Sequence, residues 1–144
     1  MLKQISLFTA NTNGALGRVT DVLARANINI YTMLANDSAE FGILRMIVDD
    51  SEKAQDELVK AGYQCRIDKV LAIDMASDEP GTLNKILSNL SRANVFVKYC
   101  YISFDRETSS PIAVLKTDEL SQRERLSPAG PLLMQRMSLI QHTS

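Results

Sequence analysis

An internal repeat constrains this chain more than any single residue does. The stretch Asn11-Thr-Asn-Gly-Ala-Leu-Gly-Arg-Val19 is echoed by Asp78-Glu-Pro-Gly-Thr-Leu-Asn-Lys-Ile86. Counting from Gly14 to Gly81, the offset is 67 residues, and the match continues beyond the loop. At that offset Leu16 aligns with Leu83, Val19 with Ile86, Leu23 with Leu90, and Ala26-Asn27 with Ala93-Asn94. Ile28 and Ile30 align with Val95 and Val97. A duplication of this kind decides architecture before local propensity does. It divides the 144 residues into two units, 1–68 and 69–144, with the last twenty or so poorly defined. Units of about seventy residues are marginal alone, which favours two that lean on each other.

Each copy of the repeated stretch opens with turn residues that stop a strand and start a helix. Before the first lies the apolar run Ile5-Ser-Leu-Phe8, read as a strand. After it, Leu16, Val19, Leu23 and Ala26 fall at i, i+3, i+7 and i+10, with Arg18, Asp21 and Arg25 on the other side. That spacing predicts an amphipathic helix with Leu16 among its inward residues, ended by Asn27. Strands follow at Ile28–Leu34 and Phe41–Val48, separated by the turn residues Asn36-Asp-Ser38. Asp49 and Asp50 offer caps for a helix from about Glu52 to Ala61, with Ala54, Leu58 and Ala61 inward and Gly62 at its C-cap. Tyr63–Ile67 completes a βαββαβ order.

The second copy begins near Val70. Val70–Met75 reads as a strand, Leu83, Ile86, Leu90 and Ala93 as a helix stripe, Val95–Ile102 as a strand, and Ile112–Leu115 as another. Asp105–Pro111 is a loop. Beyond Thr117 the echo fades. Ser121–Leu126 gives a helical turn or two before Pro128, Gly130 and Pro131, and Leu132–Ile140 fits a strand, a short helix or a loose tail.

Composition narrows the function classes. Apolar residues make up 45% of the chain, enough for a real core. The 16 basic and 17 acidic residues nearly cancel, which gives no electrostatic reason to bind nucleic acid or an anionic membrane. Neither a signal peptide nor an apolar run of membrane-spanning length is present in the sequence, so a cytoplasmic location is expected. Cys65 and Cys100, one in each half and both in apolar strand-like runs, read as buried reduced thiols. No catalytic residue stands out: the single histidine, His142, lies three from the end, and no nucleophile motif or cofactor fingerprint occurs. Asp49-Asp50 and Asp118-Glu119 read as helix caps rather than metal ligands, and Gly14-Ala-Leu-Gly17 lacks the Lys-Ser/Thr of a phosphate loop.

What the Gly14 loop offers is a helix start with free N–H groups and the positive end of a dipole, suited to a carboxylate or phosphate. The same glycine is equally good turn chemistry. Asn11 stands three before it, and Asn29 interrupts the apolar run Ile28-Asn-Ile30. An amide there can donate to a carboxylate and accept from an ammonium group.

These residues together resemble the opening of an ACT domain: a strand, a loop of the Pro-Gly-x-Leu type, an amphipathic helix, and an Ile-Asn-Ile strand. Pro80-Gly81-Thr82-Leu83 carries the proline that Asn13 replaces in the first copy. The whole is similar to small bacterial proteins with two tandem ACT repeats. The resemblance implies an α+β fold of two ferredoxin-like βαββαβ repeats, with antiparallel sheets and the helices packed on one face. It also implies a non-catalytic regulatory protein, without cofactor or metal, that binds an amino acid or related carboxylate where two units pair. The implied site comprises Asn11, Thr12, Asn13, Gly14, Ala15, Leu16, Asn29 and Ile30, with the ligand carboxylate on the N–H groups from about Asn13 to Leu16. Asp78, Gly81 and Leu83 form a weaker second-repeat equivalent, because Phe96 stands where Asn29 does. A homodimer and a partner enzyme of amino-acid metabolism are further expectations. Two other readings compete with this one. The first is a regulatory subunit that binds its enzyme without a ligand of its own. The second is an RNA-binding βαββαβ module, suggested by Phe41-Gly-Ile-Leu-Arg-Met-Ile-Val48 but lacking stacked aromatics and a basic surround.

Overall fold

A computed structural model describes residues 2–37, 41–75 and 79–118. Asp78 and the segment 119–144, where the readings of Ser121–Leu126 and Leu132–Ile140 fall, lie outside the described residues. The fold is α+β, with six strands and three helices among the described residues, forming two compact units. Among the described residues, one comprises those within Lys3–Asp68 and the other Leu2 with 69–75 and 79–118.

In the first unit, β1 (Leu2–Ala10), α1 (Ala15–Arg25), β2 (Ile30–Asp37), β3 (Phe41–Val48) and α2 (Ser51–Lys60) follow in order. β3 lies between β2 and β1, antiparallel to both, in registers that include Ala35↔Leu44 and Thr9↔Gly42. β4 (Cys65–Asp74) starts in this unit beside β1, with the Phe8 N–H donating to the Gln64 carbonyl at 3.4 Å and the Ser6 hydroxyl to Asp68 Oδ2 at 2.9 Å. The core is Ile5 and Leu7 of β1, Leu44, Met46 and Val48 of β3, Val19 and Leu23 of α1, and Ala54 and Leu58 of α2. Strand residues two apart meet helix residues three and four apart, as the two periodicities require.

In the second unit the latter half of β4 takes the place that β1 holds in the first. β6 (Pro111–Thr117) lies between it and β5 (Val97–Phe104), again antiparallel. α3 (Thr82–Arg92) packs Ile86 and Leu90 onto Leu71, Ile73, Ala113 and Leu115.

The repeat is conserved in backbone detail. α1 and α3 both begin after a left-handed glycine, Gly14 at φ 80° and Gly81 at φ 93°. Both end in a left-handed asparagine, Asn27 at φ 58° and Asn94 at φ 61°. In each case the next N–H reaches back six residues inclusive, Ile28 to the Leu23 carbonyl and Val95 to the Leu90 carbonyl, both at 2.9 Å. This closes the helix in a Schellman motif. Gly62 ends α2 in the same way, with Tyr63 donating to the Leu58 carbonyl at 3.0 Å.

Four local readings differ from the structure. Tyr63–Ile67 and Val70–Met75 are not separate strands but largely one, β4, because nothing between Ile67 and Val70 forces a turn. β2 and β5 start at Ile30 and Val97, since the Schellman bonds engage Asn27 and Ile28 before the first and Asn94 and Val95 before the second. Ala15, not Leu16, is the buried residue in the first turn of α1, and Ala61 is exposed beyond α2. Cys100 is exposed on β5, an outer strand, and Cys65 is half-buried at the start of β4.

Candidate functional site

The Gly14 loop runs from the end of β1 to the start of α1 and is tightly held. The Thr12 N–H donates to the Ala10 carbonyl at 2.9 Å, and the Ala15 N–H to the Thr12 carbonyl at 3.1 Å. The first helical bond runs from the Arg18 N–H to the Gly14 carbonyl at 3.0 Å. Leu16 and Gly17 therefore hold the N–H groups that precede the helical ladder, and Gly14 supplies no side-chain cap. Within the Asn13–Leu16 span expected to hold a carboxylate, the Ala15 N–H is already engaged by the Thr12 carbonyl. With no acidic residue in its first turn, α1 keeps the positive end of its dipole uncompensated by its own side chains.

The loop overhangs a cleft of about 330 Å³. Its lining runs continuously from Thr9 to Gly17, so that Asn11, Thr12, Asn13, Gly14, Ala15 and Leu16 of the sequence-derived set all border it. Ala35 and Asn36 at the end of β2 and Gly42, Ile43 and Leu44 at the start of β3 complete the wall. Thr9, Gly42, Ala35 and Leu44 share one face of the sheet, the face that α1 covers, because Thr9 pairs with Gly42 and Ala35 with Leu44.

Arg18, assigned from the sequence only to the outer side of α1, belongs to the loop. Its Nη1 donates to the Asn13 carbonyl at 3.3 Å and its Nη2 to Thr12 Oγ1 at 3.1 Å. Its position one helical turn after Gly14 is the signal that pointed to this contact. It also borders a neighbouring cleft of about 520 Å³ with Phe8, Gly62 and Tyr63.

Asn29 and Ile30 are not brought to this cleft. Asn29 precedes β2 and Asn36 is near its end, a separation of roughly 20 Å at about 3.3 Å per strand residue. The Asn29 N–H donates to Asp49 Oδ1 at 3.1 Å, and the Asp49 N–H returns a bond to the Asn29 carbonyl at 3.1 Å. Ile30 is half-buried against the core of its own unit. Asp50 Oδ1 accepts from the Lys53 N–H at 3.1 Å, so both acidic residues before α2 serve as backbone acceptors. Among the described residues no group of three or more His, Cys, Asp and Glu side chains could hold a metal ion.

In the second unit Gly81 repeats the backbone of Gly14, with the Lys85 N–H on the Gly81 carbonyl at 3.0 Å and Thr82 N–H on the Glu79 carbonyl at 3.1 Å. Leu83 is half-buried against the core there, unlike Leu16, and Phe96 is exposed between Val95 and Val97.

A family model for a pair of ACT domains matches residues 1–134. The chain belongs to the ACT-domain-pair family. Among solved structures, this ACT pair is similar to protein BT0572 from Bacteroides thetaiotaomicron, at 34% identity over 84% of this chain and 82% of that one, with a TM-score of 0.73. It shares its fold with the regulatory subunit of aspartate kinase from Thermus thermophilus, at 14% identity over 93% and 91% of the two chains and a TM-score of 0.61. Clostridium acetobutylicum aspartate kinase, described as an allosteric enzyme, shares it at 15% identity over 89% of this chain and 32% of that one, with a TM-score of 0.51. No curated protein matches the ACT pair in sequence. ACT domains are regulatory, and among the described residues no helix of this pair is long and apolar enough to cross a membrane.

Proposed function

We propose that this ACT pair is a non-catalytic, cytoplasmic sensor that binds an amino acid or related carboxylate in the cleft beneath the Gly14 loop. The observation that carries the reading is the coincidence of that cleft with the N–H groups of Leu16 and Gly17 at the start of α1. The ligand carboxylate sits on those N–H groups, and the amides of Asn11 and Asn13 hold the ammonium group. The second repeat contributes less, since Phe96 replaces the amide of Asn29.

The sensor works as a homodimer. β2 is an outer strand with β3 as its described neighbour, and Tyr31 and Met33 along it are exposed. Antiparallel pairing of β2 with β2 of a second copy sets the start of one strand beside the end of the other. Asn29 of one copy then comes next to Ala35 and Asn36 of the other, at the mouth of its cleft. This gives Asn29 a role at a site that its own unit holds about 20 Å away. Output passes to a partner enzyme of amino-acid metabolism, as the fold shared with an aspartate kinase regulatory subunit suggests.

A thermal-shift screen of the twenty amino acids tests the reading, with Asn11→Ala and Asn29→Ala in parallel. A ligand that binds only the folded chain raises the melting temperature by mass action. A hit weakened by both variants supports the shared site. No hit with any amino acid defeats the amino-acid reading, and a screen of related carboxylates then separates a carboxylate sensor from a subunit that acts by partner binding alone.

A further inference from the structure

We propose that the cleft selects amino acids with a neutral, apolar side chain and rejects acidic and basic ones, an inference that rests on the amino-acid-binding reading above. Two independent features of the lining carry it. The first is charge. Among the described residues, the lining from Thr9 to Gly17, and at Ala35, Asn36 and Gly42 to Leu44, contains no ionisable side chain. A charged ligand side chain placed there loses water and meets no counter-ion among these lining residues. The guanidinium of Arg18 is solvent-exposed, borders the neighbouring cleft, and is taken up at this one by its two bonds to the Asn13 carbonyl and the Thr12 hydroxyl. An acidic ligand has to displace those two bonds to engage it.

The second feature is shape. Gly42 lies on the helix-covered face of the sheet, and a Cβ built on it meets the Asn36 carbonyl oxygen at 3.4 Å, the Thr9 carbonyl oxygen at 3.8 Å and Thr9 Cγ2 at 3.9 Å. These are ordinary contacts, so neither strain nor crowding demands glycine here. What the missing side chain provides is open volume above the strand, bounded by Ala15, Leu16, Ala35 and Leu44. About 330 Å³ lies at the small end of the roughly 300–1,000 Å³ typical of ligand sites. It fits one amino acid whose apolar side chain packs over Gly42 while its zwitterionic end meets the start of α1.

The test is calorimetric titration of the full chain with valine, leucine and phenylalanine against aspartate, glutamate, lysine and arginine, repeated on Gly42→Leu. At least one apolar amino acid is expected to bind tenfold or more tighter than every charged one. Gly42→Leu is expected to lose that binding while melting near the wild-type temperature. If Gly42→Leu fails to fold, Gly42→Ala serves, and a several-fold loss for the largest bound ligand is the expected result. Equal or tighter binding of a charged amino acid overturns the selectivity and leaves the sensor reading standing. Undiminished binding in a folded Gly42→Leu variant overturns the placement over Gly42. Failure of every amino acid to bind removes the parent reading and this inference with it.

Discussion

Asn29 and Asp49 are locked to each other through the backbone: each N–H is 3.1 Å from an oxygen of the other residue, the side-chain Oδ1 in one direction and the main-chain carbonyl in the other. The pair fastens the chain leaving α1 to the chain entering α2. Because Asn29 contributes only main-chain atoms to it, its exposed amide is dispensable for the clasp. Asp49→Ala is expected to lower stability by about 1 kcal/mol, the usual net worth of such a bond, while Asn29→Ala stays within about 0.5 kcal/mol of wild type. Urea unfolding of the two variants measures this. A large loss in Asn29→Ala would mean that its side chain is structural and remove it as a ligand residue.

Gly14 and Gly81 hold the same left-handed backbone in different surroundings. A Cβ on Gly81 meets nothing within 4 Å, whereas one on Gly14 comes 3.2 Å from Arg18 Nη1. Gly81→Ala should therefore cost about 1–2 kcal/mol, the penalty of the conformation itself. Gly14→Ala should cost that and also release Arg18 from the loop. Chemical denaturation of both variants gives the comparison.

The β2 edge carries the dimer of the proposed function. Lysine on an outer strand opposes edge-to-edge pairing. Size-exclusion chromatography with light scattering should find the wild type as a dimer and a Tyr31→Lys/Met33→Lys variant as a monomer with reduced ligand affinity. A wild type that is monomeric with ligand bound would leave Asn29 without a route to the cleft.

The two cysteines differ in reactivity. Burial pushes the Cys65 thiol from 9.0 up to about 11, and Cys100 is exposed. At pH 8, iodoacetamide should label Cys100 first, with peptide mapping showing Cys65 protected until the chain unfolds. The folded chain keeps the Cys65 proton to higher pH than the unfolded chain does. Its contribution to stability is therefore present below about pH 9 and is lost as pH rises towards 11. Cys65→Ser should flatten that part of the pH–stability curve.

Each unit has its own core, and the repeat makes Leu23 and Leu90 counterparts, both fully buried. Truncating either to alanine should destabilise by about 2–5 kcal/mol, and thermal melts should show similar losses for the two.

Much of the fold was legible because the repeat is spelled out in residues whose physics is local. Gly14 and Gly81 announce left-handed turns, Asn27 and Asn94 announce helix ends, and the apolar spacings around Leu23 and Leu90 mark the buried stripe. Asp50 was readable as a cap because capping depends on neighbours three residues away. The loop at Gly14, and so the near half of the candidate site, follows from the same local chemistry.

Only tertiary structure decided what depends on cross-strand register and on strand order. Ile67 to Val70 contains no breaker, so strand pairing alone made Cys65–Asp74 continuous. Cys100 reads as apolar-run chemistry, yet it is exposed on an outer strand. Gly42 gains its place at the cleft from pairing with Thr9, a residue 33 positions away in the sequence, and Arg18 gains its place from folding back onto the loop. Asn29 shares a motif with Asn11, but the length of β2 separates them. The sequence carries local conformation because short-range sterics and hydrogen bonds set it. Which side chains face one cleft depends on contacts between residues far apart in the chain, and only the folded sheet brings those together.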